Sequence, residues 1–294
     1  MNTDLRFDRN RSRCKQCPCG RSNKDGKFTP YEGFEDKGYC HSCGETFLPE
    51  LSKESNDWMF EQRSRSSQYN SMNTVNGTAP SFTDFNLFGK SLINWMDVEQ
   101  IAEQNNFIKY LLSLFDEQTV WGLIHYYNIG TSKHWPGATI FWQADKDANI
   151  RSGKVMLYDP FTGKRDKKRF TWTHTILNLP DFKLNQCLFG EHLICSGKPI
   201  ALVESEKTAI IASVYLPQFT WLATGGKDGL KPERLRVVKN KKIILFPDLN
   251  AFDEWQRKAN ELNDVGYTIA ISNYLQQRTT AEQKEQGLDL ADYL

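Results

Sequence analysis

The sequence predicts a multidomain α/β chain: an N-terminal zinc β-ribbon, an α+β middle module and a C-terminal parallel α/β sheet. Three observations carry this. Five of the seven cysteines fall within residues 14–43. Residues 107–126 have helix-like apolar spacing, which gives way to strand-like runs at 138–143 and 154–158. From residue 199 onward, short apolar strands alternate with helices. A chain of 294 residues has room for two or three cores.

The cysteine segment reads Cys14-Lys-Gln-Cys17-Pro-Cys19-Gly20 and resumes, twenty residues on, as Cys40-His-Ser-Cys43-Gly44. Close cysteine clusters, each closed by a glycine, form zinc knuckles. Glycine lets backbone N–H groups turn toward the sulfurs, and thiolates supply the tetrahedral set that Zn²⁺ prefers. The competing reading is a pair of disulfides. No apolar leader follows Met1 and no stretch is long or apolar enough to span a bilayer, so a reducing cytoplasm and metal are expected. Cys17, Cys40 and Cys43 belong to any ligand set. The fourth sulfur is Cys14, through the relaxed two-residue gap, or Cys19, before its glycine; the spacing leaves both open. His41 lies between better ligands and reads as a surface residue. The zinc is expected to be structural, because so short a segment buries little core. Phe28, Tyr31, Phe34, Tyr39 and Phe47 fill that core, with a ring or two available to stack on unpaired bases.

The ribbon is assigned residues 1–50. Residues 51–80, rich in Ser, Asn, Gln and Thr, read as a flexible linker. The middle module spans 81–195. Phe107–Phe115 and Val120–Tyr126 are expected helices, with Asp116 capping the second. Ala138–Gln143 and Lys154–Tyr158 are expected strands across the turn at 145–149, and Asp159–Gly163 is a further turn. His125, His134, His174 and His192 have no ligand spacing, and Cys187 and Cys195 read as buried thiols. Gly89-Lys-Ser91 lacks the earlier glycine of a P-loop, since position 84 is Asp.

The C-terminal module spans 196–294. Strands are expected at 199–203, 219–223, 242–246 and 268–271, with helices at 205–215 and 251–263. This alternation implies a parallel sheet with helices on both faces, whose function gathers at the carboxyl ends of its strands. Glu204 follows the first strand, Asp248 follows the third, and Asp289 and Asp292 lie near residue 294. The Gly225-Gly226 turn, followed by Lys227, lets backbone approach a phosphate. Carboxylates gathered there suit Mg²⁺ or Mn²⁺, hard cations for phosphoryl transfer. Simpler roles are available: Asp248 or Asn250 as a helix cap, and Glu206, Lys207 and Lys227 as solvated surface residues.

The formal net charge of +1 hides an uneven distribution. Residues 5–27 carry eight Lys/Arg against two acids; residues 151–170 and 227–242 each carry seven against two. Three basic stretches beside a ribbon suggest a face for a polyanion such as nucleic acid.

With those residues in place, the C-terminal module resembles the Toprim domain of DnaG-type primases, topoisomerases and related nucleases over roughly residues 198–294. The resemblance implies that Glu204, in Val203-Glu-Ser-Glu-Lys-Thr-Ala209, is a general acid/base or metal ligand. It implies an Asp-x-Asp metal pair where this chain has Asp248-Leu-Asn250, so the second acid is missing; Asp253 is a candidate to compensate. A further carboxylate near the end matches Asp289 or Asp292. The cysteine segment is similar to the zinc modules of phage and mobile-element primases, and the middle module resembles the start of a DnaG-type polymerase core. There Arg151, Lys154, Lys164, Lys167, Lys168 and Arg169 are the candidates for meeting template and nucleotide.

The whole chain is therefore expected to be a primase-like nucleotidyltransferase. It would bind single-stranded DNA and make short RNA primers from nucleoside triphosphates, with structural Zn²⁺ and catalytic Mg²⁺ or Mn²⁺, beside a separate helicase or relaxase. The alternative is a catalytically inactive single-stranded-DNA-binding accessory for replication or mobilisation, which Asn250 favours. A Toprim nuclease is the third reading.

Overall fold

A computed structural model describes residues 8, 10, 14–20, 22–33, 35–42, 46–47, 81–83, 85–91, 98–179, 181–194, 197–280, 283 and 288–294. The expected linker at 51–80, together with Phe34, Cys43 and Cys195, lies outside the described residues. The chain divides into two compact units, Met1–Met72 and Asn73–Leu294. Among the described residues no helix is long and apolar enough to cross a membrane.

In the first unit, strands β1 (Phe28–Pro30), β2 (Gly38–Cys40) and β3 (Thr46–Phe47) form an antiparallel sheet in that order. Its small core holds Cys14, Cys17, Phe28 and Cys40, with Cys19 and Phe47 packed alongside. Phe28 meets Phe47 edge to face at 6.1 Å. Asn23 is buried and staples the cysteine loop to β1. Its amide donates to the Cys14 and Phe28 carbonyls, and its oxygen accepts from the Phe28 N–H. Tyr31 is also buried, whereas Tyr39 is half-buried against His41.

The second unit opens with helices α1 (Phe85–Ser91), α2 (Val98–Gln104), α3 (Asn106–Leu114) and α4 (Glu117–Tyr126). Sequence reading finds the last two, and their caps explain why they start where they do. The Asn105 side chain accepts from the Phe107 and Ile108 N–H groups, and Asp116 accepts from Thr119 N–H at 2.7 Å. An antiparallel sheet follows: β4 (Ile129–Ser132), β5 (Ala138–Ala144), β6 (Ile150–Tyr158) and β7 (Arg165–Trp172), adjacent in chain order. β7 is the basic run that the sequence leaves unassigned. It is an edge strand and mostly exposed, and lysine-rich edges resist pairing with other chains.

The remaining strands β8 (Ile200–Val203), β9 (Thr220–Ala223), β10 (Lys242–Leu245) and β11 (Thr268–Ile271) form a wholly parallel sheet in the order β11-β10-β8-β9. β8 is central and buried on both faces. Its Ala201 and Val203 join one core while Ile200 and Leu202 join the other. Helix α5 (Glu206–Tyr215) covers the first face, and α6 (Phe252–Asp264) covers the second with the buried Trp255. The first core also takes Phe107, Leu111, Phe141, Met156 and Tyr158, so both sheets of this unit share one hydrophobic interior. An isolated antiparallel bridge ties Phe189, in the segment between the two sheets, to Ala223 at the end of β9.

Candidate active site

The carboxyl ends of β8, β9 and β10 open into a cavity of about 870 Å³. The loop after β8 contributes Glu204 and Ser205, and the first turn of α5 Glu206 and Lys207; the loop after β9 contributes Gly225, Gly226 and Lys227, and the loop after β10 Asp248 and Asn250. Lys154, Met156 and Tyr158 of β6, the Gly163–Arg165 turn and Lys167 of β7 add a basic wall. Leu288, Asp289 and Asp292 complete the lining. Function at the carboxyl ends of parallel strands is what this topology favours.

Glu204 and Asp248 adjoin. The Asp248 backbone lies close enough to the Glu204 carboxylate to favour its ionised form. Burial pushes the Glu204 carboxyl up to about 7, against the opposing pull of Lys227 and that backbone. Burial and the neighbouring Glu204 charge push Asp248 up to about 8. Asp248 occupies the cap position of the short turn Leu249–Ala251, yet its side chain makes no capping bond, so capping does not account for it. Glu204 Oε1 and Asp248 Oδ1 are both buried without a hydrogen-bond partner. Two such oxygens fit a hard cation, which takes one or two carboxylates and completes its shell with phosphate oxygens and water.

Asp289 and Asp292 share the cavity but are engaged elsewhere. Asp289 accepts from Thr208 Oγ1 at 2.9 Å and from the Ala291 N–H at 2.8 Å, while Asp292 accepts from the Asp289 N–H at 2.8 Å. Lys207 lies 3.6 Å from Asp289 and 3.8 Å from Asp292. They close a capping box on the turn Leu290–Asp292 and neutralise Lys207. Asp253 is exposed and outside the cavity lining, so it does not replace the acid missing at Asn250. Asn250 itself is exposed and faces the cavity.

Two basic candidates turn inward. Lys154 donates to both Glu206 oxygens at 3.0 Å and to the Gly225 carbonyl at 2.9 Å, with the lysine 5 % and the glutamate 1 % exposed. Arg151 bonds Asp145 and covers the Phe82 ring. Neither is presented to a polyanion; each neutralises an acid that folding takes out of water. Lys164 and Lys167 line the cavity, while Lys168 and Arg169 sit exposed on β7 outside it. Gly225 has φ +77° and Gly226 φ +151°, a backbone path that favours glycine. Lys227 pairs with Glu254 at 2.8 Å, and Lys258 binds the same carboxylate, holding it down to about 2.

Sequence reading treats Glu206 and Lys207 as solvated. The signal against that is the run Ala209-Ile-Ile-Ala212 just after them. A helix that is apolar all round is buried all round, and charges in its first turn are buried with it. Arg165, a further cation of the lining, lies inside the basic run but is not singled out by it.

In the first unit, Cys17 Sγ lies 3.1 Å and Cys40 Sγ 3.9 Å from Cys19 Sγ. Among the described residues, Cys17, Cys19 and Cys40 are the one group of three or more His, Cys, Asp or Glu whose ligand atoms lie within 4.8 Å of one another. Zinc–sulfur bonds of about 2.3 Å put tetrahedral sulfurs about 3.8 Å apart, a spacing that Cys19 and Cys40 match while Cys17 and Cys19 stand closer; the three thiols are the donor type that structural zinc takes. Cys14 is buried in the same core but outside that group.

The histidines do not gather. His174 bonds Ser152 and stacks on Phe182; His192 bonds the Tyr126 carbonyl; His125 packs on Trp121 and His134 on Trp135.

Residues 105–249 match the family model described as a domain of unknown function, DUF6371. No curated protein is significantly similar in sequence. Among solved structures, the chain is similar to the primase fragment of the bacteriophage T7 primase-helicase protein, at 17 % identity over 86 % of each chain and TM-score 0.42. It is also similar to the RNA polymerase domain of Mycobacterium tuberculosis primase DnaG, at 12 % identity over 70 % of this chain and 69 % of that one, TM-score 0.35. The zinc-binding and RNA polymerase domains of the Aquifex aeolicus primase match at 12 % identity over 63 % and 48 % of the two chains, TM-score 0.35.

Proposed function

We propose that this chain is a primase-like nucleotidyltransferase that builds short RNA on single-stranded DNA. The observation that carries the reading is the Glu204–Asp248 pair, with two buried, unpartnered oxygens on a cavity that also has a basic wall and a glycine turn. Glu204 and Asp248 would hold Mg²⁺ or Mn²⁺. Bound there, such an ion neutralises charge on the reacting phosphate. The Gly225–Gly226 backbone takes the nucleotide phosphates, and Lys164, Arg165 and Lys167 hold the template strand. A 3′-hydroxyl attacks the α-phosphorus; the new O–P bond forms as the bond to pyrophosphate breaks. The hydroxyl proton is lost to water as the O–P bond forms. Cys17, Cys19 and Cys40 would hold a structural zinc, with Cys43 as fourth ligand on the sequence expectation.

The second reading, a strand-gripping accessory without chemistry, draws on Asn250 and on the engagement of Asp289 and Asp292 with Lys207. Template-dependent incorporation of labelled ribonucleotides with Mg²⁺ or Mn²⁺ separates the two. Product that disappears in Glu204→Gln and Asp248→Asn supports the enzyme. Undiminished DNA binding with no product in either metal supports the accessory, and shortened DNA supports a nuclease.

A further inference from the structure

Lys154 sits within β6, in register with Phe141 of β5 and Trp172 of β7, yet its ammonium reaches out of its own sheet to the parallel one. Three bonds, two to Glu206 and one to the Gly225 carbonyl, use all three donors of a lysine. No donor remains for a phosphate. Nor is stability a sufficient account of the pair, because apolar residues of similar volume hold a buried site at least as well as an ion pair does. What ions add here is direction: β6 is tied at one atom to the start of α5 and to the glycine turn.

We propose that Lys154 is a positioning residue that sets the glycine turn. In a trans peptide the carbonyl and the following N–H point in opposite directions. Pinning the Gly225 carbonyl on Lys154 therefore fixes where the Gly226 N–H points, in a glycine turn whose next carbonyl, that of Gly226, is held separately by Thr224 Oγ1 and the Gly229 N–H. The same tether fixes the spacing between β6, with the basic β7 beside it, and the loop that carries Glu204. The proposal takes its substrate, a nucleoside triphosphate, from the polymerase reading above.

The test uses the full chain as Lys154→Met/Glu206→Leu, which removes both charges together, and as Lys154→Arg, whose planar fork does not seat three convergent bonds. Each is compared with wild type for hydrogen exchange across residues 220–230, for Mn²⁺ affinity, and for Mn²⁺-dependent binding of a nucleoside triphosphate. Exchange in that peptide should rise about tenfold or more while β8 stays protected. Mn²⁺ affinity should stay within about twofold, because Glu204 and Asp248 are untouched, and triphosphate affinity should fall about tenfold. A folded variant whose turn exchanges as in wild type overturns the proposal, as does a loosened turn with unaltered triphosphate affinity. A wild-type protein that binds no triphosphate, with a turn that still loosens in the variants, leaves the tether standing and sinks the polymerase reading instead.

Discussion

Glu204 and Asp248 stand within electrostatic reach of each other on one cavity, because β8 and β10, hydrogen-bonded neighbours in the parallel sheet, end side by side. Each acid keeps one buried oxygen without a partner, and the Glu204 charge adds to the cost of ionising Asp248. Two like charges placed together out of water are a debt in folding terms, which a cation would settle.

That cost makes metal-free stability depend on pH with a definite sign. Unfolded carboxyls titrate near 4. Glu204 and Asp248 are raised to about 7 and about 8 in the fold. Between those limits the folded chain holds more protons than the unfolded one, so stability falls as pH rises from about 4 to about 8 and then levels. The thermal midpoint in magnesium-free buffer, followed from pH 5 to 9, should decline more steeply for wild type than for Glu204→Gln/Asp248→Asn. Parallel profiles would mean that the two acids do not share their charge.

Divalent ions should relieve the same repulsion. Binding to the folded state alone adds about 2.7 kcal/mol at a hundredfold excess over Kd. Mn²⁺ should raise the midpoint of wild type and lose that effect in Glu204→Gln or Asp248→Asn. Asp289→Asn is the control, since both oxygens of Asp289 already accept hydrogen bonds, from Thr208 and from Ala291. Asparagine still caps the turn, so the substitution should cost about 1 kcal/mol through the weakened pairing with Lys207 and leave the Mn²⁺ response intact. Loss of the response in Asp289→Asn alone would move the cation to the other side of the site.

Much of this architecture is legible in the chain because it rests on short-range signals. The apolar run Ala201-Leu-Val203 followed by Glu204 and a serine cap marks a strand, its end and a helix start within a few residues. Asp116 marks α4 in the same way. The inward turn of Lys154 is not legible, because its partners stand 52 and 71 residues away and only the packing of two sheets brings them together. Asp289 and Asp292 mislead for the opposite reason. Their mutual capping box is local, but Lys207, which they neutralise, looks like an ordinary surface lysine until α5 is seen to be buried.

Zinc content should follow the sulfurs that meet. Cys17, Cys19 and Cys40 form the grouped set, with Cys14 in the adjoining core. Cys17→Ser and Cys19→Ser should lose stoichiometric zinc by elemental analysis, along with the ribbon fold, because structural zinc contributes on the order of 10 kcal/mol. Cys14→Ser should retain one zinc per chain. Zinc lost from Cys14→Ser and kept by Cys19→Ser would exchange the two ligands.

The basic wall should be visible in the salt dependence of DNA binding. Lys164 and Lys167 line the cavity, whereas Lys168 and Arg169 lie on β7 outside it, and Arg169 is partly neutralised by Asp166 at 3.6 Å. Each phosphate neutralised on a single strand adds about 0.7 to the slope of log K against log salt. Lys164→Gln/Lys167→Gln should therefore lower the slope by about 1.4 if both cations meet the strand within the cavity. Lys168→Gln/Arg169→Gln should lower it by less, and Asp145, buried against Arg151, takes no part in either case. Fluorescence anisotropy of a labelled oligonucleotide, titrated at several salt concentrations, reads both slopes. A larger loss from the Lys168/Arg169 pair would place the strand along the outer face of β7 and away from Glu204 and Asp248, which would remove the template from the acids that are to act on it.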